Sequence, residues 1–243
     1  TNCYNTGSVN GANEVVGGVV GRADATVSNV YNTGSVSGSS NVGGVVGYAS
    51  SSSATVSNAY NTGIVSGSGN YVGGVVGNAN SLTVSNVYNT GPVSGSYYVG
   101  GVVGYAYSAT ITNVYNTGLV SGNSQVGGVV GSASGSATIS DCGVECAVIT
   151  GTSNVGIFVG YISTGATVEN CYAIVEGGMS PYGSNSGTVT NCLWIAGGVK
   201  YYLGTDFSGF AWLNTDSCPI PKGLSWMGQF WTGDITNEIM ASS

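Results

Sequence analysis

The strongest constraint on the fold of this chain is a unit of about 28 residues that recurs at least seven times. Each clear copy opens with Asn-x-Tyr-Asn-Thr-Gly and closes with Val-Gly-Gly-Val-Val-Gly. The four clearest copies span residues 29–47, 58–77, 86–104 and 113–131. A unit this short cannot bury an apolar face alone, so successive units must stack and share one core.

Each unit contains three short Val-rich segments bounded by Gly, Asn or Ser, for example residues 25–31, 35–37 and 41–48. These are strand and turn signals, and no segment shows an uninterrupted helical period. We therefore predict an all-β fold, a parallel β-helix (β-solenoid) with about eight rungs of about 28 residues each. We call each rung a coil. We expect the solenoid to be right-handed and about 40 Å long. The 43 glycines should supply positive φ at the corners and allow close backbone approach.

Charge excludes two classes of partner. Three basic residues stand against ten acidic ones, which gives a formal net charge of −7. The basic residues are Arg22, Lys200 and Lys222, too few to neutralise a phosphate backbone or an anionic lipid surface. No run of 18 apolar residues occurs, so we predict neither nucleic-acid binding nor membrane insertion.

Histidine is absent from the chain. Its absence removes the usual general base at neutral pH, the Ser/His and Cys/His nucleophile pairs and the HExxH zinc helix. We predict no catalytic residue, no metal and no cofactor. The chain opens within a repeat, at Thr1-Asn-Cys-Tyr-Asn-Thr-Gly7, so we expect it to be a fragment of a longer chain.

Stacking places each repeat position above its equivalents and predicts two asparagine columns. Amides stacked in this way can bond to one another and to turn backbone, so we interpret both columns as structural. The first column contains Asn29, Asn58, Asn86, Asn113, Asp141, Asn170 and Asn191. The second contains Asn32, Asn61, Asn89 and Asn116.

The closing segments begin their Gly-Val-Val-Gly sequences at Gly18, Gly44, Gly74, Gly101 and Gly128. Together with the Tyr-Asn-Thr-Gly element, they resemble the GLUG motif over about residues 1–193, with Val in the usual Leu position. The sixth copy departs from it by reading Gly156-Ile-Phe-Val-Gly160, and Tyr-Asn-Thr-Gly is lost at Gly143. The resemblance implies a solenoid of the kind found in bacterial surface adhesins and beside the catalytic domain of immunoglobulin A peptidases. It implies an extracellular or cell-surface location and carries over no catalytic residue.

Four of the six cysteines occupy a position that holds Val or Ala in other copies, so core filling explains them. The alternative is a disulfide, because equivalent Cα atoms in adjacent coils lie about 4.8 Å apart. The candidate disulfide set is Cys142, Cys146, Cys171 and Cys192. Cys3 lies about 24 Å below this set and cannot join it.

The repeat pattern ends after Leu193, which divides the chain into a solenoid, 1–193, and a C-terminal segment, 194–243, that forms a cap or begins a following module. All four tryptophans lie in this segment, at Trp194, Trp212, Trp226 and Trp231. The last coil of a solenoid must be covered, and an aromatic cap would do so. The alternative is a glycan contact through Trp226 and Trp231, since aromatic faces also bind sugar rings.

Two further patterns are candidates for function. Carboxylates cluster at Asp141, Glu145, Glu169 and Glu176, and β-helical polysaccharide hydrolases use paired carboxylates for acid/base chemistry. A Thr-x-Ser/Thr pair also recurs on one strand and would form a regular array of hydroxyls and methyls, as in ice-binding solenoids. The first members of this threonine ladder are Thr26, Thr55, Thr83, Thr110, Thr138 and Thr167. Glu169 interrupts the array, and an ordinary solvated β face is the interpretation that we prefer.

The sequence thus predicts a non-catalytic structural or adhesive segment of a bacterial surface or secreted protein, with an elongated polar face for a glycan or protein ligand. An ice-binding solenoid and a glycan-processing enzyme are the alternatives. An uncovered terminal coil would also permit end-to-end self-association.

Overall fold

The computed structural model describes residues 1–12, 14–146, 148–175, 179–196 and 199–203. These residues form a parallel β-solenoid whose wall consists of four sheets, and no helix occurs among them. The predicted fold class is therefore confirmed. No helix of the described part is long and apolar enough to cross a membrane.

Each sheet collects the equivalent strand of successive coils. The strands of sheet 1 are Tyr4–Asn5, Val27–Asn32, Thr55–Asn61, Thr83–Asn89, Thr110–Asn116, Thr138–Ser140, Gly143–Cys146, Thr167–Glu169, Tyr172–Val175, Thr188–Thr190, Cys192–Ala196 and Val199–Leu203. Those of sheet 2 are Val9–Asn10, Val36–Gly38, Val65–Gly67, Val93–Ser94, Val120–Ser121 and Ile149–Thr150. Those of sheet 3 are Val16–Gly17, Val42–Gly43, Asn70–Gly73, Tyr97–Gly100, Ser124–Gly127 and Ser153–Gly156. Those of sheet 4 are Val20–Ala23, Val46–Ser50, Val76–Asn80, Val103–Tyr107, Val130–Ser134, Val159–Ile162 and Tyr182–Asn185.

A coil has four strands rather than the predicted three. The expected third segment, residues 41–48, divides into Val42–Gly43 and Val46–Ser50. The chain bends so tightly between them that a Cβ on Gly43 would lie 1.9 Å from the Val46 carbonyl oxygen. Valine periodicity alone does not reveal a corner made by two glycines within an apolar run.

The number of coils also differs from the prediction. Sheets 2 and 3 each have six strands, so six coils are complete, whereas only sheet 1 reaches the eighth level, at Cys192–Ala196. That strand crosses the expected domain boundary at residue 193 and pairs in antiparallel fashion with Val199–Leu203. Most of the segment 194–243, including the proposed cap, lies outside the described residues.

The core is a column of valine and alanine. Val42, Val45 and Val46 of one coil are fully buried, and register pairs each strand with its equivalent, as Val42 with Val72 and Val46 with Val76. β-Branched side chains fit this pleated, enclosed surface and have few rotamers to lose.

Left-handed backbone conformations fall mainly on residues other than glycine. Among the described residues, positive φ occurs at only two glycines, Gly135 and Gly165, but at fifteen other residues. The first asparagine column has it at every level, from Asn29 at 55° to Asn191 at 50°. Asn and Asp tolerate this region best among residues with a Cβ, so the expectation that glycine forms these corners is wrong.

The second asparagine column is a buried hydrogen-bond ladder. Asn32, Asn61, Asn89 and Asn116 have no exposed surface. The Nδ2 of Asn61 donates to the Gly63 carbonyl at 2.8 Å and to the Oδ1 of Asn89 at 2.8 Å. The structural interpretation of this column is therefore confirmed, since each amide bonds to turn backbone and to an asparagine of an adjacent coil.

The buried asparagine side chains also explain why the first residue of Gly-Val-Val-Gly is glycine. A Cβ on Gly74 would lie 2.4 Å from the Cγ of Asn89 and 2.1 Å from the Gly101 carbonyl oxygen. Gly44 meets Asn61 in the same way. The two halves of the repeat therefore recur together because they touch across adjacent coils.

Candidate functional site

Tyrosines form a stacked ladder on sheet 1. The rings of Tyr4, Tyr31, Tyr60 and Tyr88 have centroids 5.1, 4.9 and 4.9 Å apart and are within 7° of parallel. Carbon contacts are optimal at about 3.5–4 Å, so rings at this centroid spacing must be laterally offset. Offset stacking is the favoured geometry of aromatic pairs. We call these four residues the tyrosine ladder.

Strand alternation positions the ladder. In Thr55–Asn61, Ala59 and Asn61 are buried and Tyr60 between them lies on the outer face. At the next level Tyr115, which pairs with Tyr88 in register, is only 3% exposed, and its hydroxyl donates to the Glu145 carboxylate at 2.9 Å.

A shallow groove of about 260 Å³ lies along the ladder, lined by Asn58, Ala59, Tyr60 and Tyr88. Burial, and then the neighbouring Tyr60, raise the pKa of Tyr88 to about 12. Burial, and then Tyr31, also raise the pKa of Tyr60. Both phenols are therefore neutral at physiological pH and can donate as well as accept hydrogen bonds.

The threonine ladder forms in the predicted register. Thr55, Thr83, Thr110, Thr138 and Thr167 pair in sequence across sheet 1. Thr26 precedes its strand, and its hydroxyl accepts a bond from Thr55 at 3.5 Å. The second members of the Thr-x-Ser/Thr pairs form a neighbouring row, in which Ser140 pairs with Glu169. Glu169 therefore places a carboxylate in the array.

Register separates two of the expected carboxylates. It places Glu169 opposite Ser140 and Glu145 opposite Ile174, which lies five positions further along the chain than Glu169. Asp141 and Glu169 lie in adjacent coils, where the Asp141 N–H donates to the Glu169 carbonyl at 3.3 Å. Glu145 accepts the Tyr115 hydroxyl, and Asp141 accepts a bond from Thr112 at 3.5 Å. Glu176 lies outside the described residues, so acid/base chemistry by this cluster stays a prediction.

Three cysteines fill the core. Cys142, Cys171 and Cys192 are buried free thiols, and each S–H donates to the carbonyl two residues earlier, at 3.0, 3.2 and 3.2 Å. Burial raises the pKa of Cys171, and a hydrogen bond with Cys171, followed by burial, raises that of Cys192. The structure shows no bridge among these three residues, and core filling describes them. The side chain of Cys146 is outside the description, and Cys3 is exposed.

The proposed glycan contacts Trp226 and Trp231 also lie outside the described residues. Trp194 is described and is only 7% exposed, so it packs into the solenoid. Within the described ranges, no group of three His, Cys, Asp or Glu side chains could hold a metal ion.

The sequence itself contains a signal for the tyrosine ladder. Tyr4, Tyr31, Tyr60 and Tyr88 recur at one position, and alternation places that position outside. A second tyrosine group, Tyr71, Tyr98 and Tyr105, had no such periodic signal, because its members come from two sheets.

Comparison with known proteins agrees with this architecture. Residues 12–37 and 95–121 match the model of the GLUG motif, which confirms that resemblance. Each segment contains one glycine–asparagine contact, Gly18 with Asn32 and Gly101 with Asn116. No curated protein matches the chain.

The fold is similar to the crystal structure of a candidate immunoglobulin A1 protease from Bacteroides ovatus. The TM-score is 0.54 and the identity 18%, over 90% of this chain and 74% of that one. At this identity the similarity establishes a shared fold.

Proposed function

We propose that this chain is a non-catalytic adhesive segment of a bacterial surface or secreted protein, and that its tyrosine ladder contacts a glycan or protein ligand. The observation that carries the proposal is the ladder itself, a regular row of partly exposed, neutral aromatic rings beside a groove. The GLUG segments and the solenoid neighbour support a secreted or surface location.

The composition of this face suits contact with varied ligands. Tyr gives rigid amphipathic contact area at low entropy cost, and Ser and Asn give adaptable hydrogen bonds, a combination also used by antibody binding loops. Asn58 and Tyr60 supply both elements in the same groove.

Binding on a glycan array tests the proposal. We expect specific binding by the purified chain and at least about tenfold weaker binding by the Tyr60→Ala/Tyr88→Ala variant, because two adjacent rings are worth more than about 1.4 kcal/mol. Tyr161→Ala is the matched control on sheet 4, and Trp226→Ala tests the C-terminal aromatics separately. Unchanged binding by the double variant would reject the ladder as the contact surface.

Ice binding is a second candidate, favoured by the register of the threonine ladder across sheet 1. We expect thermal hysteresis to vanish when Thr55, Thr83 and Thr110 are replaced by lysine, because bulky charges would break the array. Circular dichroism should show an intact solenoid. Absence of hysteresis in the unmodified chain would eliminate this candidate.

A further inference from the structure

A second group of tyrosines meets where sheet 3 approaches sheet 4. The rings of Tyr71 and Tyr98 are stacked with centroids 5.0 Å apart and 20° between their planes. The ring of Tyr105 stands at an angle to both, at 5.3 Å and 46° from Tyr71 and at 5.7 Å and 66° from Tyr98. We call these three rings the aromatic corner.

Two of these tyrosines hold an unfavourable backbone conformation. Tyr71 has a φ of 62° and Tyr98 a φ of 57°, whereas the equivalent residues of other coils are Asn41, Gln125 and Asn154. A bulky residue is an outlier in the left-handed region, where Asn is among the best tolerated.

The strained conformation does not depend on the tyrosines. It recurs in five successive coils, at Asn41, Tyr71, Tyr98, Gln125 and Asn154, whichever side chain is present, although not at Val15 in the first coil. The fold therefore uses this backbone without requiring a ring there. Strain that the fold does not need, in two adjacent coils, points to a function for the side chains.

The surroundings of the corner are polar and uncharged. The Ser134 hydroxyl donates to the Tyr105 hydroxyl at 2.7 Å. Gln125 follows Tyr98 in the same column, and its Oε1 is enclosed and has no hydrogen-bond donor among the described residues. Tyr97 and Tyr107 flank the corner and are 48% and 45% exposed.

Charge narrows the class of ligand. Among the described strands of sheets 3 and 4, the only charged residue is Arg22, which lies in the first coil over the ring of Tyr48 and beside Asp24. An anionic ligand would find no cation at the corner, and a cationic one no carboxylate. A ligand with flat apolar faces and many neutral hydroxyls fits both the rings and the hydroxyls of Tyr105 and Ser134.

We propose that the aromatic corner of Tyr71, Tyr98 and Tyr105 is a binding site for a neutral saccharide unit, separate from the tyrosine ladder. The inference names a ligand class for the proposed contact function and rests on that function. The aromatic corner and the tyrosine ladder consist of different residues on different sheets, so an experiment can reject one site without rejecting the other. Binding at the aromatic corner would stack a sugar face on the rings.

Affinity gel electrophoresis of the purified chain tests the site. The probes are four neutral polysaccharides (mannan, β-1,3-glucan, xylan and galactan) and the acidic polygalacturonate. We expect retardation by at least one neutral polymer and none by the acidic one. The Tyr98→Asn variant should bind at least tenfold more weakly, while its Tm stays close to that of the parent chain because relieved backbone strain offsets lost stacking.

Control variants separate this site from the ladder and from damage to the fold. Tyr161→Ala removes a ring from the column of Tyr105 two coils away and should leave retardation by the neutral polymer unchanged. Loss of retardation by that polymer in Tyr60→Ala/Tyr88→Ala but not in Tyr98→Asn would assign the binding to the ladder instead. No retardation by any of the four neutral polymers, stronger retardation by polygalacturonate, or parent-like binding by Tyr98→Asn would each overturn the proposal.

Discussion

Asn89→Ala is expected to lower the free energy of unfolding by about 3 kcal/mol, because the buried ladder loses three hydrogen bonds at once. Asn89 donates to the Gly91 carbonyl at 2.7 Å and to Asn116 at 2.9 Å, and it accepts from Asn61 at 2.8 Å. The Gly91 carbonyl would lose its side-chain donor at a fully buried position. Urea denaturation followed by circular dichroism measures the change.

Asn58→Gly is the matched control for this variant. Asn58 belongs to the exposed column, its side-chain bonds are long at 3.3 and 3.4 Å, and glycine accepts its φ of 50°. We expect a loss below about 1 kcal/mol. Equal losses in the two variants would contradict the view that the buried ladder, and not asparagine in general, stabilises the coils.

The class of fold was predictable because stacking follows from the repeat itself. Equivalent positions must align, and the register of Tyr31 with Tyr60 and of Asn32 with Asn61 confirms this. The corners were less predictable. Glycine at Gly43 and Gly74 serves close approach, whereas positive φ falls on Asn29 and its equivalents, and composition cannot separate the two uses.

The two candidate sites also differ in how well the sequence alone predicts them. The tyrosine ladder lies within one column, so the period and strand alternation are enough to predict it. The aromatic corner joins Tyr98 and Tyr105, which are seven residues apart in sequence on different strands, and only the bend between sheets 3 and 4 brings them together.

Gly74→Ala is expected to destabilise the solenoid by at least about 3 kcal/mol, or to prevent folding, since the added methyl has no space on either side. Its Cβ would lie 2.1 Å from the Gly101 carbonyl oxygen and 2.4 Å from the Cγ of Asn89. The carbonyl belongs to the next coil, so relief requires the coils to separate. Thermal denaturation compares this variant with Gly7→Ala, where the nearest atom is 3.8 Å away and little change is expected.

The fifth and sixth coils show that this clash has two sources. Gly128 is retained although Val144 replaces the ladder asparagine that would face it, and its Cβ would still lie 2.2 Å from the Ile157 carbonyl oxygen. Glycine itself is lost one coil later, at Ile157. Because Asn89 supplies one of the two clashes at Gly74, we expect Gly74→Ala combined with Asn89→Ala to be at least about 1 kcal/mol more stable than the sum of the single effects predicts. Strict additivity in this double-mutant cycle would mean that the Gly101 carbonyl alone excludes the methyl, and that contact with asparagine does not explain why the two halves of the motif recur together.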